Sequence, residues 1–275
     1  MNRPASARLM AVAKASRRRG LALALFVLLV PDQTSAQAVS QAETLLFETD
    51  HLARIKPPAV LVYEFLKVSN VEKGFRDKVR LDLASSKGKT SATLQFLSGA
   101  HKHDIPALEE AHGNPVLLGF LERDIAEMKR LTGGSTAYFR KRIRMALAEG
   151  AQVSVQSITY QGKTMPAQAV RIQPYLNDPL HARFEPYVHK TYVFIVSEQV
   201  PGGVYQLRSS LENPSGRAVA ATGTVGAVSG GTAGAGAAAA RTAAAVTPPP
   251  AAGGGKPLPA IDETLTLVSV AHPGR

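Results

Sequence analysis

From residue 214 to residue 260 the chain offers almost nothing that a hydrophobic core can use. The stretch is Gly, Ala, Pro, Thr and Ser, with four alanines at 237–240, three prolines at 248–250 and three glycines at 253–255. No Leu, Ile, Met or aromatic residue occurs in it before Leu258. Such a segment cannot offset the entropy of ordering its own backbone. A core must therefore be assembled from the residues before 214 and those after 260. The runs on either side, 204–211 (VYQLRSSL) and 263–270 (ETLTLVSV), both alternate with the two-residue period of a strand. We read them as neighbouring strands and 214–260 as an overgrown hairpin loop, because loop-closure entropy rises only slowly with length. A linker to a detached C-terminal tail is the other arrangement, but a lone strand of that length is not stable by itself.

The opposite end carries a second non-core segment. Arg3, Arg8, Lys14, Arg17, Arg18 and Arg19 precede an apolar run at 21–30 (LALALFVLLV) that Pro31 and Asp32 close. Ten apolar residues are few for a bilayer span, and Ala36-Gln37-Ala38 supplies small residues for a signal peptidase. The expectation is a signal peptide over 1–38 and a periplasmic protein starting at Val39 or Gln37, with no transmembrane helix after cleavage. Ser16-Arg17-Arg18 also resembles a twin-arginine signal, yet the Leu-rich run favours the ordinary unfolded (Sec) route. An uncleaved anchor is the competing reading. Removing both segments changes the electrostatics. Six basic residues and one acid lie in 1–38, and Arg217, Arg241 and Lys256 stand unopposed in the insert, so of the +11 formal charge only about +3 is left elsewhere. The high isoelectric point therefore gives no argument for a nucleic-acid partner. The absence of Cys excludes disulfides, thiolate metal sites, iron–sulfur clusters, thiol catalysis and a lipidated N-terminal Cys.

Between these segments the pattern reads strands, two helices, strands. Residues 60–68, 75–83 and 91–97 form an antiparallel meander; in the second, Phe75, Asp77, Val79, Leu81 and Leu83 alternate with Arg76, Lys78, Arg80 and Asp82. Asn114-Pro115 starts a helix with Leu118, Leu121, Ile125, Met128 and Leu131 as its apolar stripe, and Gly133-Gly134 stops it. Ser135 caps a second helix whose stripe is Phe139, Ile143 and Leu147. Strand patterns return at 153–160, 167–175, 191–200 and 204–211. In the third of these, Tyr192, Phe194 and Val196 face one way and Val193 and Ile195 the other, which places that strand centrally with both faces covered. The expected fold is α+β: a curved, half-barrel-like antiparallel sheet of about seven to nine strands with two helices inserted after the third. The expected organisation is 1–38 signal, 39–213 periplasmic domain, 214–260 disordered insert, and 261–275 the domain's last strand and tail.

Three groups of residues are candidates for chemistry. His101, His103 and His112, with Asp104, Glu109 and Glu110 nearby, are the densest set of metal ligands or proton carriers; on a strand, His101 and His103 share a side. The Pro- and Gly-containing segment around them equally suits a flexible connection. Arg140, Lys141 and Arg144 crowd the second helix and are candidates for docking an anionic ligand such as a lipid headgroup or envelope polymer, against the plainer reading of a solvated face. Tyr175 to Pro179, with Arg183 and Tyr187 beyond, reads as a polar site or as ordinary turn chemistry. No H-E-x-x-H, G-x-S-x-G or phosphate-loop pattern stands outside the insert, and no cofactor motif is legible.

Four segments have a family look: 46–52 (LFETDHL), 113–124 (GNPVLLGFLERD), 131–135 with Tyr138-Phe139-Arg140, and 200–205 (VPGGVY). In these the chain resembles a family of uncharacterised exported proteobacterial proteins, over most of 45–212. That resemblance carries no activity and no catalytic residues. In architecture alone, the expected sheet with interrupting helices is similar to periplasmic lipoprotein-carrier half-barrels. The leading expectation is a non-enzymatic periplasmic binding or envelope-associated protein for a lipid-like, amphipathic ligand. A periplasmic metal-assisted hydrolase using the His101–His112 region is the alternative from another class, and a structural protein whose insert engages an envelope partner is a third.

Overall fold

The computed structural model describes residues 38–86, 88–211 and 259–273. The expected signal, up to residue 37, and the insert, up to residue 258, lie outside the described residues. Chain order begins with a short helix α1 (Gln41–Glu43) that runs into a π turn (Thr44–Glu48), then β1 (Ala59–Ser69), β2 (Phe75–Ser86), β3 (Lys89–Phe96) and the two-residue β4 (His103–Asp104). Helices α2 (Pro115–Thr132) and α3 (Thr136–Glu149) come next, then β5 (Gln152–Tyr160), β6 (Lys163–Ile172), β7 (Thr191–Val196), β8 (Val204–Leu211) and β9 (Ile261–Ala271). The fold is α+β. Its nine strands form one open sheet in the order β4-β3-β2-β1-β9-β8-β7-β6-β5. Every neighbouring pair is antiparallel.

The two runs that flank the insert are hydrogen-bonded neighbours, from Gln206 opposite Thr266 to Leu211 opposite Ile261. Because β9 also pairs with β1, the last strand of the chain occupies the middle of the sheet. This corrects the expectation for β7, which is third from an edge. Tyr192, Phe194 and Val196 are buried, but Val193 and Ile195 on its other face are half-buried. That strand also ends at Val196 rather than 200. The chain turns there, with the Ser197 amide donating to Gly203 O at 2.9 Å and the Val200 amide to Ser197 O at 3.1 Å.

Local chemistry places the helices. Asn114 Oδ1 accepts from the Val116 amide at 3.1 Å, Pro115 fills the first turn where no amide hydrogen is needed, and Gly133 ends α2 in the left-handed region at φ 73°. Ser135 caps α3 by accepting from the Tyr138 amide. The buried stripe of α2 keeps Leu121, Ile125 and Met128 of the expected one, with Leu131 half-buried, but differs at its start: Leu118 is 44% exposed, whereas Leu117, Phe120 and Asp124 are buried. The helix is rolled so that Gly119 meets β3, where a β-carbon would sit 2.7 Å from Phe96 and 2.9 Å from Leu94. Each large apolar side chain buried this way contributes roughly 1.5–3 kcal/mol. The roll also carries Asp124 into the core. In α3 the buried residues are Phe139, Ile143 and Leu147, as the stripe implied.

Candidate functional site

A cleft of about 540 Å³ lies where the segment after α1 meets the β5–β6 hairpin and the β7–β8 turn. Leu45, Val155, Ala167, Val196 and Val200 give it apolar walls, and Asp50, Arg54 and Glu198 a charged rim. Arg54 donates to Glu198 Oε2 at 2.8 Å and to Glu198 O at 2.9 Å, which ties the segment after α1 to the β7–β8 turn across the cleft. Val155, on the edge strand β5, is 82% exposed, the most exposed large apolar side chain among the described residues. Gln168 Oε1, also in this wall, is buried without a hydrogen-bond partner among the described residues.

A rigid junction forms the cleft floor. His51 is buried; its Nε2–H donates to Leu45 O at 2.9 Å and its Nδ1 accepts from the Asn114 amide at 3.3 Å. Those partners define a neutral ring. Burial holds its pKa below the ordinary value, outweighing the opposite pull of the Leu45 carbonyl and of Asp50. Asn114 Nδ2 donates to Tyr63 Oη at 2.9 Å and to Gly202 O at 2.8 Å. Gly202 and Gly203 lie at φ 76° and 70°. A β-carbon on Gly203 would stand 2.6 Å from the His51 ring, and one on Gly202 2.6 Å from Leu61. Only glycine fits both the backbone region and the space. Ser197, the one hydroxyl in that turn, donates to Pro166 O at 2.7 Å. Both His51 nitrogens and this hydroxyl are thus engaged in holding backbone.

Buried charge is concentrated elsewhere, under α2. Asp124 accepts from Lys190 Nζ at 2.6 Å, Tyr192 Oη at 2.5 Å and Ser209 Oγ at 3.0 Å. Burial and the Asp124 carboxylate together push the Tyr192 hydroxyl well above its ordinary pKa. Lys67, only 3% exposed at its side chain, reaches Glu72 at 2.6 Å, Glu127 at 2.7 Å and Glu263 at 3.1 Å, the last off a hydrogen-bonding axis. Arg123 and Arg130 complete a set of three cations and three carboxylates. Burial alone would raise the pKa of Glu127, but the bonds from Arg130 and Lys67 outweigh it and hold it well below the carboxylate range. Both networks are neutralised internally, which is what a low-dielectric interior requires of charge.

The residues singled out from the sequence fall in several separate places. Arg140, Lys141 and Arg144 are all exposed on α3, and Arg140 is engaged by Glu122 of α2 at 2.6 Å. Arg142, between them in sequence, turns inward and lies 2.8 Å from Asp178. Asp178 accepts from Tyr138 Oη and from the Leu180 amide at 2.7 Å, so the 175–179 segment is a turn locked onto α3. His101 ends a 3-10 turn and stacks on Phe75 at 3.8 Å, His103 begins β4, and His112 Nδ1 lies 3.0 Å from Asp50 Oδ2. His101 and His103 therefore do not share a strand face. Among the described residues no three His, Cys, Asp or Glu side chains are gathered as metal ligands. The cleft residues Arg54, Val155 and Gln168 have no local sequence signal. The Asp50-His51 and Pro201-Gly202-Gly203 segments beside them do. Among the described residues no helix is long and apolar enough to cross a membrane. No protein-family model matches the chain, and no curated protein matches it in sequence.

Proposed function

We propose that the protein is a non-enzymatic binding protein of the bacterial periplasm that holds a single-chain amphiphile in the cleft beside β5. The observation that carries this reading is the cleft itself: about 540 Å³, apolar on its walls and charged at its rim. That volume falls in the range of small-molecule sites, roughly 300–1,000 Å³. An acyl chain against Leu45, Val155, Ala167 and Val200 would leave its polar end near Arg54, Glu198 and Asp50. The engagement of His51 and Ser197 by backbone partners argues for binding over hydrolysis. The basic, apolar and small-residue pattern of 1–38 supports export, and the family resemblance of 46–52, 113–124 and 200–205 supports placement among exported proteins.

The test uses the absence of native Trp. Ala53 is an exposed residue on the cleft wall, so Ala53→Trp adds a reporter without disturbing the core. A fatty acid or lysophospholipid, added below its micellar concentration, should bind the wild type saturably. It should shift the emission of Ala53→Trp to shorter wavelength. Absence of saturable binding to the wild type, with folding verified by melting, would refute the reading.

A further inference from the structure

The two edges of the sheet are finished differently. At one end, β3 is covered along its outer side by the chain that comes after it. Ala92 and Leu108 exchange both backbone hydrogen bonds at 2.9 Å, the Ala111 amide donates to Thr90 O at 2.8 Å, and β4 pairs with Gln95 and Phe96. The terminal strand there is two residues long and carries Asp104. At the other end β5 has one partner, β6, and no strand on its outer side among the described residues. An exposed strand edge is a template for pairing, and proteins ordinarily block one with charge, proline, a bulge, brevity or a covering segment. β5 has none of the first four; α1 lies near it, and Thr159 O accepts from Tyr205 Oη at 3.1 Å. Its nine residues, QVSVQSITY, include no charged residue, proline or glycine. Its register with β6 runs unbroken from Gln152 opposite Arg171 to Tyr160 opposite Lys163.

We infer that β5 is a homodimer edge: it pairs antiparallel with β5 of a second copy across a two-fold axis near Val155, joining the two nine-stranded sheets into one. The occupant is set by the strand's own chemistry. A two-fold axis sets a strand against itself, which penalises charge, because each charged residue would face or neighbour its own kind. A strand without charge meets that condition. The sheet is antiparallel up to its edge, so a two-fold pairing continues its pattern without a break. The axis belongs near Val155 because in that register its side chain, 82% exposed in one copy, packs against the same residue of the other. An axis one residue away sets it against the half-buried Val153 (axis at Ser154) or against Ser157 (axis at Gln156), so the most exposed apolar side chain no longer covers itself. Both faces of the flanking positions, Gln152, Ser154, Gln156 and Ser157, offer uncharged hydrogen-bonding groups. Val155 also lines the cleft, so the pairing is tested in the absence of any amphiphile.

The mature protein, without added lipid, is measured by sedimentation and native mass spectrometry over a wide concentration range. The expected result is a reversible doubling of mass. Val155→Lys should return the monomer mass with unchanged cooperative melting, because the residue is exposed and a Lys there meets its copy. The absence of native Cys makes the register readable. Paired residues on antiparallel strands have α-carbons about 4.5–5.5 Å apart, inside disulfide range. Val155→Cys should therefore form a disulfide-linked dimer on oxidation, and Thr93→Cys on β3 should not. A wild type that stays monomeric at every concentration overturns the inference, whether its own chain or an extended peptide of another protein occupies the edge. A dimer that persists unchanged in Val155→Lys overturns it equally.

Discussion

Replacing Asp124 by Asn is the sharpest test of how the core is held. The carboxylate is fully buried and takes three hydrogen bonds, from Lys190, Tyr192 and Ser209, which join α2 to the start of β7 and to β8. Asn keeps the volume but removes the charge, and Lys190, whose side chain is 3% exposed, is left without its counter-ion. Removing one partner of a buried pair costs about 3–5 kcal/mol, because the remaining charge stays desolvated. Total stability of such domains is roughly 5–15 kcal/mol, so the loss is a large share of it. At about 2–4 °C per kcal/mol for a domain of this size, the melting temperature should fall by about 6–20 °C. Lys190→Met alone should be costly too, since it leaves Asp124 buried and unpaired. The double variant Asp124→Asn, Lys190→Met removes both charges and should recover a substantial part of the loss, of order 1–4 kcal/mol. Circular dichroism melts and urea titrations of the four proteins give the cycle. A single Asp124→Asn cost below about 1 kcal/mol, or a double variant no better than the singles, would refute the claim that this pair is a buried, mutually dependent unit.

The geometry sets three further outcomes. His51 is buried neutral with a pKa below its ordinary 6.5, so the unfolded chain takes up the proton first; its contribution to stability is complete above that value and is lost as pH falls through it. Urea titrations at about pH 7.5 and about pH 5.5 should show a smaller acid loss in His51→Gln than in the wild type, and equal losses would remove His51 from the cause. Deleting 215–257 and closing the ends should leave a cooperatively melting domain, because Leu211 and Ile261 are paired cross-strand neighbours that a short loop can join; a broad, non-cooperative melt would show otherwise. Changing Arg140, Lys141 and Arg144 together to Gln should cost about 1 kcal/mol or less, since all three are exposed and the Arg140–Glu122 pair is a surface pair. If the three dock an anionic surface, salt-sensitive binding to anionic vesicles should weaken in that variant while melting is kept, and unchanged binding would remove the docking idea.

Legibility from sequence tracked the range of the interactions. In β2, Val79, Leu81 and Leu83 bury one face while Arg76, Lys78, Arg80 and Asp82 keep the other wet, so alternation alone marks the strand. The helix limits were equally local, set by Asn114-Pro115, Gly133 and Ser135 within a turn of where they act. Asp124 was opaque for the opposite reason. On a helical wheel it is one more acid in a charged helix, and its partners Lys190 and Ser209 lie 66 and 85 residues further along the chain. The roll of α2 that buries it is decided by Gly119 meeting Phe96 and Leu94, a close approach that no periodicity encodes. The central place of β9 was hidden likewise, since pairing with β1 brings together residues at opposite ends of the chain. The cleft draws on three separated segments, and its most telling residue, Val155, is conspicuous only once its exposure is known.

The segments that look most like motifs turn out to meet one another. His51 from 46–52, Asn114 from 113–124 and Gly202-Gly203 from 200–205 are in direct contact, through the Asn114 amide on His51 and Asn114 Nδ2 on Gly202 O. Each supplies something only its residue type can give: an imidazole nitrogen that accepts while the other donates, an amide side chain that does both, and a turn at positive φ with no β-carbon in the way. That is a sufficient physical reason for such residues to stand together without any reaction. It also divides the labour in the cleft. The floor is fixed by these contacts, and a substitution there disturbs the β7–β8 turn before it touches a ligand. Ala53, exposed on the wall, carries no such duty, so a change of ligand preference can arise there with the fold unaltered.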